Sequence, residues 1–242
     1  MSIQLSSTDF PADLPADLPA ALPADLQAEH LISPPPQAGP SGPPVRLGIL
    51  ASGSGSNFEA IAQAIAQGQL NATIAVLIYN NPGAGVVARG NRHNIPSLLL
   101  NHRDYDSREA LDAKIVASLQ AHGVEWVVMA GWMRIVTPML IDAFAERMIN
   151  IHPSLLPSFK GLGAIDQALA SGVTIAGCTV HLVTAEMDSG PVLMQAAVPI
   201  LPGDTAESLH QRVQVQEHRI LPGAIALAVN RARARLTETA PS

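Results

Sequence analysis

Asn150 and His152 stand two apart where the apolar run Met148-Ile149-Asn150-Ile151 gives way to His152-Pro153-Ser154-Leu155-Leu156-Pro157. On a strand, that spacing sends both side chains out of one face. A carboxamide beside an imidazole suits acyl chemistry. The NH₂ group stabilises an oxyanion, and the imidazole passes a proton near neutral pH. The bland alternative is a strand-end Asn and a surface His held by prolines, and on pattern alone both stand. Further on, Glu186-Met187-Asp188-Ser189-Gly190 is either a turn built on Asp and Gly or a loop that delivers the Asp188 carboxylate to the His152 edge. Gly53-Ser54-Gly55-Ser56-Asn57 is a third candidate. Glycines and a following helix N-terminus offer free amides to an anion, naturally a phosphate. A dinucleotide fingerprint needs a small residue at position 58, where Phe58 stands, and a Walker ending is absent. The alternative is a tight turn with a helix cap. Gln214-Val215-Gln216-Glu217-His218 reads either as a solvated helix face or as a set of ligand contacts.

Weaker signals are set aside. His102-Arg103-Asp104 echoes a kinase catalytic loop without the companion motifs. Cys178 reads as a small packed residue. The eight histidines lack the spacing of a zinc helix, so no metal site is expected.

The elements that must position these groups follow from periodicity. Val45–Ala51 is an apolar strand, then comes the glycine turn and a helix carrying Phe58, Ile61 and Ile65. Strands follow at Ala72–Tyr79, Pro96–Leu100, Glu125–Ala130 and Met148–Ile151. Helices at Gly85–His93, Ser107–His122 and Thr137–Ala145 separate them. This alternation predicts an α/β fold, with a Rossmann-like, mostly parallel twisted sheet flanked by helices. Val173–Val183 and Pro191–Pro199 predict a C-terminal antiparallel hairpin. A last helix is expected over Thr205–Arg231, with a possible break at Pro222. The C-terminal edge of a parallel sheet is where ligands bind, and it is there that His152 falls.

Composition narrows the function class. The chain has 242 residues, 48% hydrophobic and 14% charged, which suffices for a sizeable core. Its acids and bases are unevenly spread. Residues 1–44 carry five acids and no base, leaving 15 acids against 14 bases afterwards. A near-neutral body with two lysines lacks the basic face of a nucleic-acid binder. One cysteine excludes a disulfide framework and multi-cysteine metal sites. No apolar run of about 18 residues is present to span a membrane. The expectation is a soluble, cytoplasmic protein. Residues 1–44 repeat Pro-Ala-Asp-Leu and hold ten of the 20 prolines, which obstruct both helix and sheet ladder. They are read as a disordered extension that is neither secretory signal nor presequence.

From Val45 to about Arg231 the chain resembles the phosphoribosylglycinamide formyltransferases, folate-dependent enzymes of de novo purine synthesis. The likeness is carried by Gly53-Ser54-Gly55-Ser56-Asn57, Met129-Ala130-Gly131-Trp132-Met133-Arg134-Ile135, Asn150-Ile151-His152-Pro153-Ser154-Leu155-Leu156-Pro157, Gly177-Cys178-Thr179-Val180-His181, Asp188-Ser189-Gly190-Pro191-Val192 and Gln216-Glu217-His218. The resemblance implies a formyltransferase domain over 45–235 and a flexible tail over 236–242. It implies Asn150, His152 and Asp188 as the catalytic trio. Gly55, Ser56, Asn57, Gln214, Val215, Gln216 and Glu217 would hold 5-phosphoribosylglycinamide. Arg108, Met133, Arg134, Ile135, Val136, Asn150, Thr184, Ala185, Glu186, Met187 and Asp188 would line the site of 10-formyltetrahydrofolate. Asn150 and protonated His152 would stabilise the oxyanion, with Asp188 orienting His152 and assisting proton transfer. The partners implied are these small molecules, with the chain a monomer or homodimer.

Two features depart from the pattern. Gly163 stands where many members have His, and the Pro-rich extension has no counterpart in the minimal enzyme. Formyltetrahydrofolate deformylases share the trio but use water and carry a regulatory domain in front. Methionyl-tRNA formyltransferases add a tRNA-binding domain behind. A non-catalytic nucleotide-binding module would have no need of all three trio residues.

Overall fold

The computed structural model describes residues 32–36, 39 and 41–238. Among the described residues, eight strands form a single sheet: β1 (Ile32–Ser33), β2 (Val45–Ala51), β3 (Ala72–Tyr79), β4 (Ser97–Leu99), β5 (Trp126–Met129), β6 (Met148–His152), β7 (Ile175–Leu182) and β8 (Val192–Pro199). The helices are α1 (Ser56–Ala66), α2 (Val86–Arg92), α3 (Arg108–Ala121), α4 (Pro138–Ala143), α5 (Ala164–Ser171) and α6 (Ala206–Glu238). The strand order is β1-β8-β7-β6-β5-β2-β3-β4. Pairings from β6 through to β4 are parallel, whereas β6–β7, β7–β8 and β1–β8 are antiparallel. The expected mostly parallel sheet with an antiparallel hairpin is the one found.

Helices on both faces explain why the parallel strands are near-continuous apolar runs rather than alternating. Leu47, Ile49 and Ala51 of β2 pack into a layer with Phe58 and Ile61 of α1 and Leu221 and Ile225 of α6. Leu50 of the same strand joins Val76 and Ile78 in the opposite layer, under Ile115 and Leu119 of α3 and Leu140 of α4. Alternate side chains of one strand therefore serve two cores.

Helix α5 is not among the expected elements, because eight residues between Gly163 and Gly172 give little more than two turns of periodicity. Two expectations need correction. Helix α6 is continuous through Pro222. A helix-interior proline removes a hydrogen bond and costs about 3 kcal/mol, but Ile220, Leu221, Ala224 and Ile225 around it are fully buried, so packing outweighs the local penalty. The same helix reaches Glu238, so residues 236–238 are helical rather than part of a flexible tail; 239–242 lie outside the described residues.

The extension also departs from a wholly disordered reading. Ile32 and Ser33 pair with Ala196 and Gln195 on the edge of β8, and Ile32 is buried. Asn230 of α6 accepts the Ser41 amide. Arg233 donates to the carbonyls of Ser41 and Pro43, and Asn71 donates to that of Gly42. Prolines remove amide donors but keep their carbonyls, so a strap tied through side-chain donors avoids the deficit that excludes Pro from a ladder. Residues 1–31 lie outside the described residues. Among those described, no helix is long and apolar enough to cross a membrane.

Candidate active site

Strand β6 ends at the carboxyl edge of the parallel sheet, and its neighbour β7 runs back antiparallel with Asn150 opposite His181 and His152 opposite Thr179. This register sets Asn150, His152 and His181 on one face. The β7–β8 connection then supplies Asp188. It can close because Gly190 lies where an added Cβ would meet the Leu182 carbonyl oxygen at 1.8 Å. Asp188 itself takes φ 51°, a left-handed conformation that Asp tolerates better than most side chains.

The four side chains form one cluster. His152 Nδ1 is 3.4 Å from Asp188 Oδ2, and His152 Nε2 donates to the Phe159 carbonyl at 2.9 Å. That carbonyl can only accept, so Nε2 carries a hydrogen. His181 Nδ1 donates to the Leu182 carbonyl at 2.9 Å. Its Nε2 lies 3.2 Å from Asn150 Nδ2 and 3.6 Å from Asp188 Oδ1. Asn150 Nδ2 reaches Asp188 Oδ1 at 3.4 Å, and the Gly161 amide donates to Asp188 Oδ2 at 2.9 Å. Burial pushes the Asp188 carboxyl up, but His181, the Gly161 amide and the charge of His152 more than reverse this, holding its pKa below the usual carboxylate value.

The glycine turn lies across the site. Gly55 begins α1 at φ 77°, and a Cβ there would meet Val86 Cγ2 at 2.4 Å, so the close approach of α2 to this turn requires glycine. Gln214 of α6 donates to Ser56 Oγ at 3.0 Å. Asn57 donates to Glu217 Oε2 at 2.9 Å, while its own Oδ1 is buried without a protein partner. Burial raises the Glu217 pKa, opposed by the Asn57 hydrogen bond and by nearby His210 and His152. Behind the turn, Glu59 accepts from Arg89, Arg92 and His93. Burial raises the Glu59 carboxyl, but these bonds outweigh it and lower its pKa to about 2. Arg89 also donates to the Ser54 carbonyl at 2.8 Å.

A cavity of about 820 Å³ joins the two halves. It is lined by Gly55, Ser56, Asn57, Gln214 and Glu217 and by Asn150, His152 and Asp188. Arg108, Met133, Arg134, Ile135, Val136, Thr184, Ala185, Glu186 and Met187 line it as well. Val215 and Gln216, expected as substrate contacts, are not lining residues. At 100° per residue a helix brings 214 and 217 to one face; Val215 is exposed, and Gln216 accepts from Arg219 instead. Sequence reasoning missed His181 and His210 as lining residues. The register of β6 against β7 singles out His181, and the i−4 relation to Gln214 singles out His210. Gly163 lines the cavity and offers no imidazole. Among the described residues, no group of three or more His, Cys, Asp or Glu could hold a metal ion.

A family model described as formyl transferase matches residues 45–225. The phosphoribosylglycinamide formyltransferase of Bacillus subtilis (strain 168) is 39% identical over 180 residues, covering 74% of this chain and 92% of that protein. The trifunctional purine biosynthetic protein adenosine-3 of Drosophila pseudoobscura pseudoobscura is 43% identical over 201 residues, covering 82% of this chain. This match spans only 15% of that longer protein's length. The crystal structure of glycinamide ribonucleotide transformylase 1 from Symbiobacterium toebii superposes with a TM-score of 0.76 at 47% identity, covering 77% of this chain and 88% of that one.

Proposed function

The chain belongs to the formyl transferase family, and on that premise we propose that it transfers the formyl group of 10-formyltetrahydrofolate to the amine of 5-phosphoribosylglycinamide, a step of purine synthesis. The observation that carries this reading is that Asn150, His152 and Asp188 line one cavity together with the Gly55–Asn57 turn and the exposed apolar side chains Met133, Ile135 and Met187. A phosphate fits the Gly55–Asn57 amides at the α1 N-terminus. The orphan Asn57 Oδ1 and the partly satisfied Glu217 suit the hydroxyl and amine donors of a ribosylglycinamide. Exposed Met133, Ile135 and Met187, with Arg108 beside them, suit a flat heteroaromatic ring joined to an anionic tail.

The co-substrate supplies an activated formyl group, and the chain's residues act on the acyl transfer. Asn150 donates to the formyl oxygen as it gains negative charge. The loose 3.4 Å contact to Asp188 is the one this donor gives up. His152 keeps its Nε2 hydrogen on the Phe159 carbonyl, which fixes the ring and leaves Nδ1 to exchange a proton on the Asp188 side. As the amine nitrogen bonds the formyl carbon and the bond from that carbon to the folate nitrogen breaks, ionised Asp188 takes the proton lost by the amine, directly or through water, and passes it to the departing folate nitrogen. His181 Nε2, 3.2 Å from Asn150 Nδ2, packs against the amide and limits its rotation.

An absorbance assay of folate product, run with and without 5-phosphoribosylglycinamide, tests the proposal. Turnover that requires the ribonucleotide is the expected result. Equal turnover in its absence identifies water as the acceptor and rejects the transferase reading.

A further inference from the structure

Three consecutive residues outside the trio hold either a trio side chain or the loop that carries one. The Phe159 carbonyl accepts from His152 Nε2 at 2.9 Å. The Gly161 amide donates to Asp188 Oδ2 at 2.9 Å. Between them, Lys160 Nζ donates to Ser189 Oγ and to Glu186 Oε1, the latter at 3.2 Å. Lys160 therefore bonds the residues on both sides of the Asp188 position, and none of its contacts is to the trio. It is not among the residues lining the cavity, although Gly161, Leu162 and Gly163 are.

The segment is held in a demanding conformation. Phe159 lies at φ 56°, a left-handed value that a bulky side chain adopts only when its surroundings impose it. Gln167 of α5 donates to the carbonyls of Lys160 and Leu162, anchoring the far end. Opposite, the Asp188 loop has few internal ties: Thr184 Oγ1 donates to the Glu186 carbonyl and Ser189 Oγ to that of Met187. Met187 is half exposed. A loop so lightly held keeps a carboxylate within reach of an imidazole only if something fastens it.

We propose that Lys160 is a positioning residue that fastens the Glu186–Ser189 loop to the Phe159–Gly161 segment and so sets the distance between Asp188 and His152. The inference rests on the formyl-transfer reading for its kinetic consequence, but not for its structural one. An exposed ion pair alone contributes little. Here the ammonium makes two bonds to one short loop, and the loop carries the carboxylate that the neighbouring Gly161 amide also holds.

The test compares Lys160→Met, Lys160→Arg and wild type by two readouts on the full chain. Hydrogen exchange of the Gly161 amide in the ligand-free protein reports the clamp without any turnover. Lys160→Met is expected to lose about tenfold or more in protection, with Lys160→Arg close to wild type. In formyl transfer, Lys160→Met is expected to lower kcat by roughly 10- to 100-fold, the scale of a misplaced catalytic group, and to move the acidic limb of the pH profile to higher pH. The limb moves that way because Asp188 loses part of what depresses its pKa. Lys160→Arg restores both. Unchanged Gly161 protection in Lys160→Met overturns the proposal. So does a raised KM for the formyl donor with kcat and the acidic limb intact, which would make Lys160 a ligand contact. A wild type that exchanges as expected yet transfers no formyl group rejects the functional reading alone.

Discussion

At the scale of single residues, the site is a set of polar groups that the protein only half satisfies. Asp188 has the amide of Gly161 at 2.9 Å but its imidazole partners at 3.4 and 3.6 Å, distances that leave room to tighten around a transition state. Replacing Asp188 by Asn is expected to lower kcat by about 10²–10⁴-fold while the chain stays folded, as steady-state rates with circular dichroism will show. Its depressed pKa fixes the sign of a stability effect. The contribution of the ionised group is complete above the ordinary carboxylate range and is lost as pH falls through the depressed value. The melting-temperature deficit of Asp188→Asn should therefore shrink on acidification. Glu217 behaves oppositely. Burial raises its pKa, so ionisation costs the folded state as pH rises from the ordinary carboxylate range through the raised value. Glu217→Gln is expected to raise the melting temperature by a few degrees at pH 8 and by little at pH 4. On the proposed substrate reading it should also raise KM for the ribonucleotide, because a carboxylate beside the glycine turn is neutralised. Thermal melts at the two pH values and substrate titration check this.

Among the elements, the hairpin and α6 do the positioning. Strand β7 places His181 opposite Asn150, and the β7–β8 loop returns Asp188 to the same face only because Gly190 passes against the Leu182 carbonyl. Gly190→Ala forces backbone against backbone. It is expected to destabilise the hairpin by about 2–4 kcal/mol and to cost more activity than stability at moderate temperature, measured by urea unfolding alongside kcat. Helix α6 meets the glycine turn through Gln214 and Glu217 and packs in the layer that holds Leu47, Ile49 and Phe58. Its continuity through Pro222 keeps those contacts and the Arg233 grip on the strap in one rigid body.

For the whole molecule, the strap covers an otherwise open sheet edge. An unpaired edge strand is a template for association, and β8 is occupied by Ile32 and Ser33 of the same chain. Deleting residues 2–44 is expected to lower stability by about 1–3 kcal/mol, from the lost burial of Ile32 and the lost hydrogen bonds less the ordering entropy regained. It should also promote self-association through β8, while kcat changes little because the strap lies outside the cavity lining. Denaturant titration and light scattering on the truncated chain read both effects.

The features legible in the amino-acid order were the local ones. Strands followed from short apolar runs and helices from a period of 3.6, the glycine turn from its composition, and the shared face of Asn150 and His152 from their spacing. Short α5, flanked by glycines, gave too little periodicity to read, and Pro222 signalled a break that burial on either side overrode. What pairs with what was decided by the tertiary fold. Asn57 meets Glu217 across 160 positions and Asn150 meets Asp188 across 38, and no pattern within either segment encodes the other. His181 became a site residue through strand register, and Val215 and Gln216 dropped out through the rotation of α6. Lys160 gained its role from a loop 26 positions away. Local sequence sets each backbone's intrinsic preference, but the partners of a polar side chain are chosen by which buried faces pack together, and that is a property of the assembled sheet and helices.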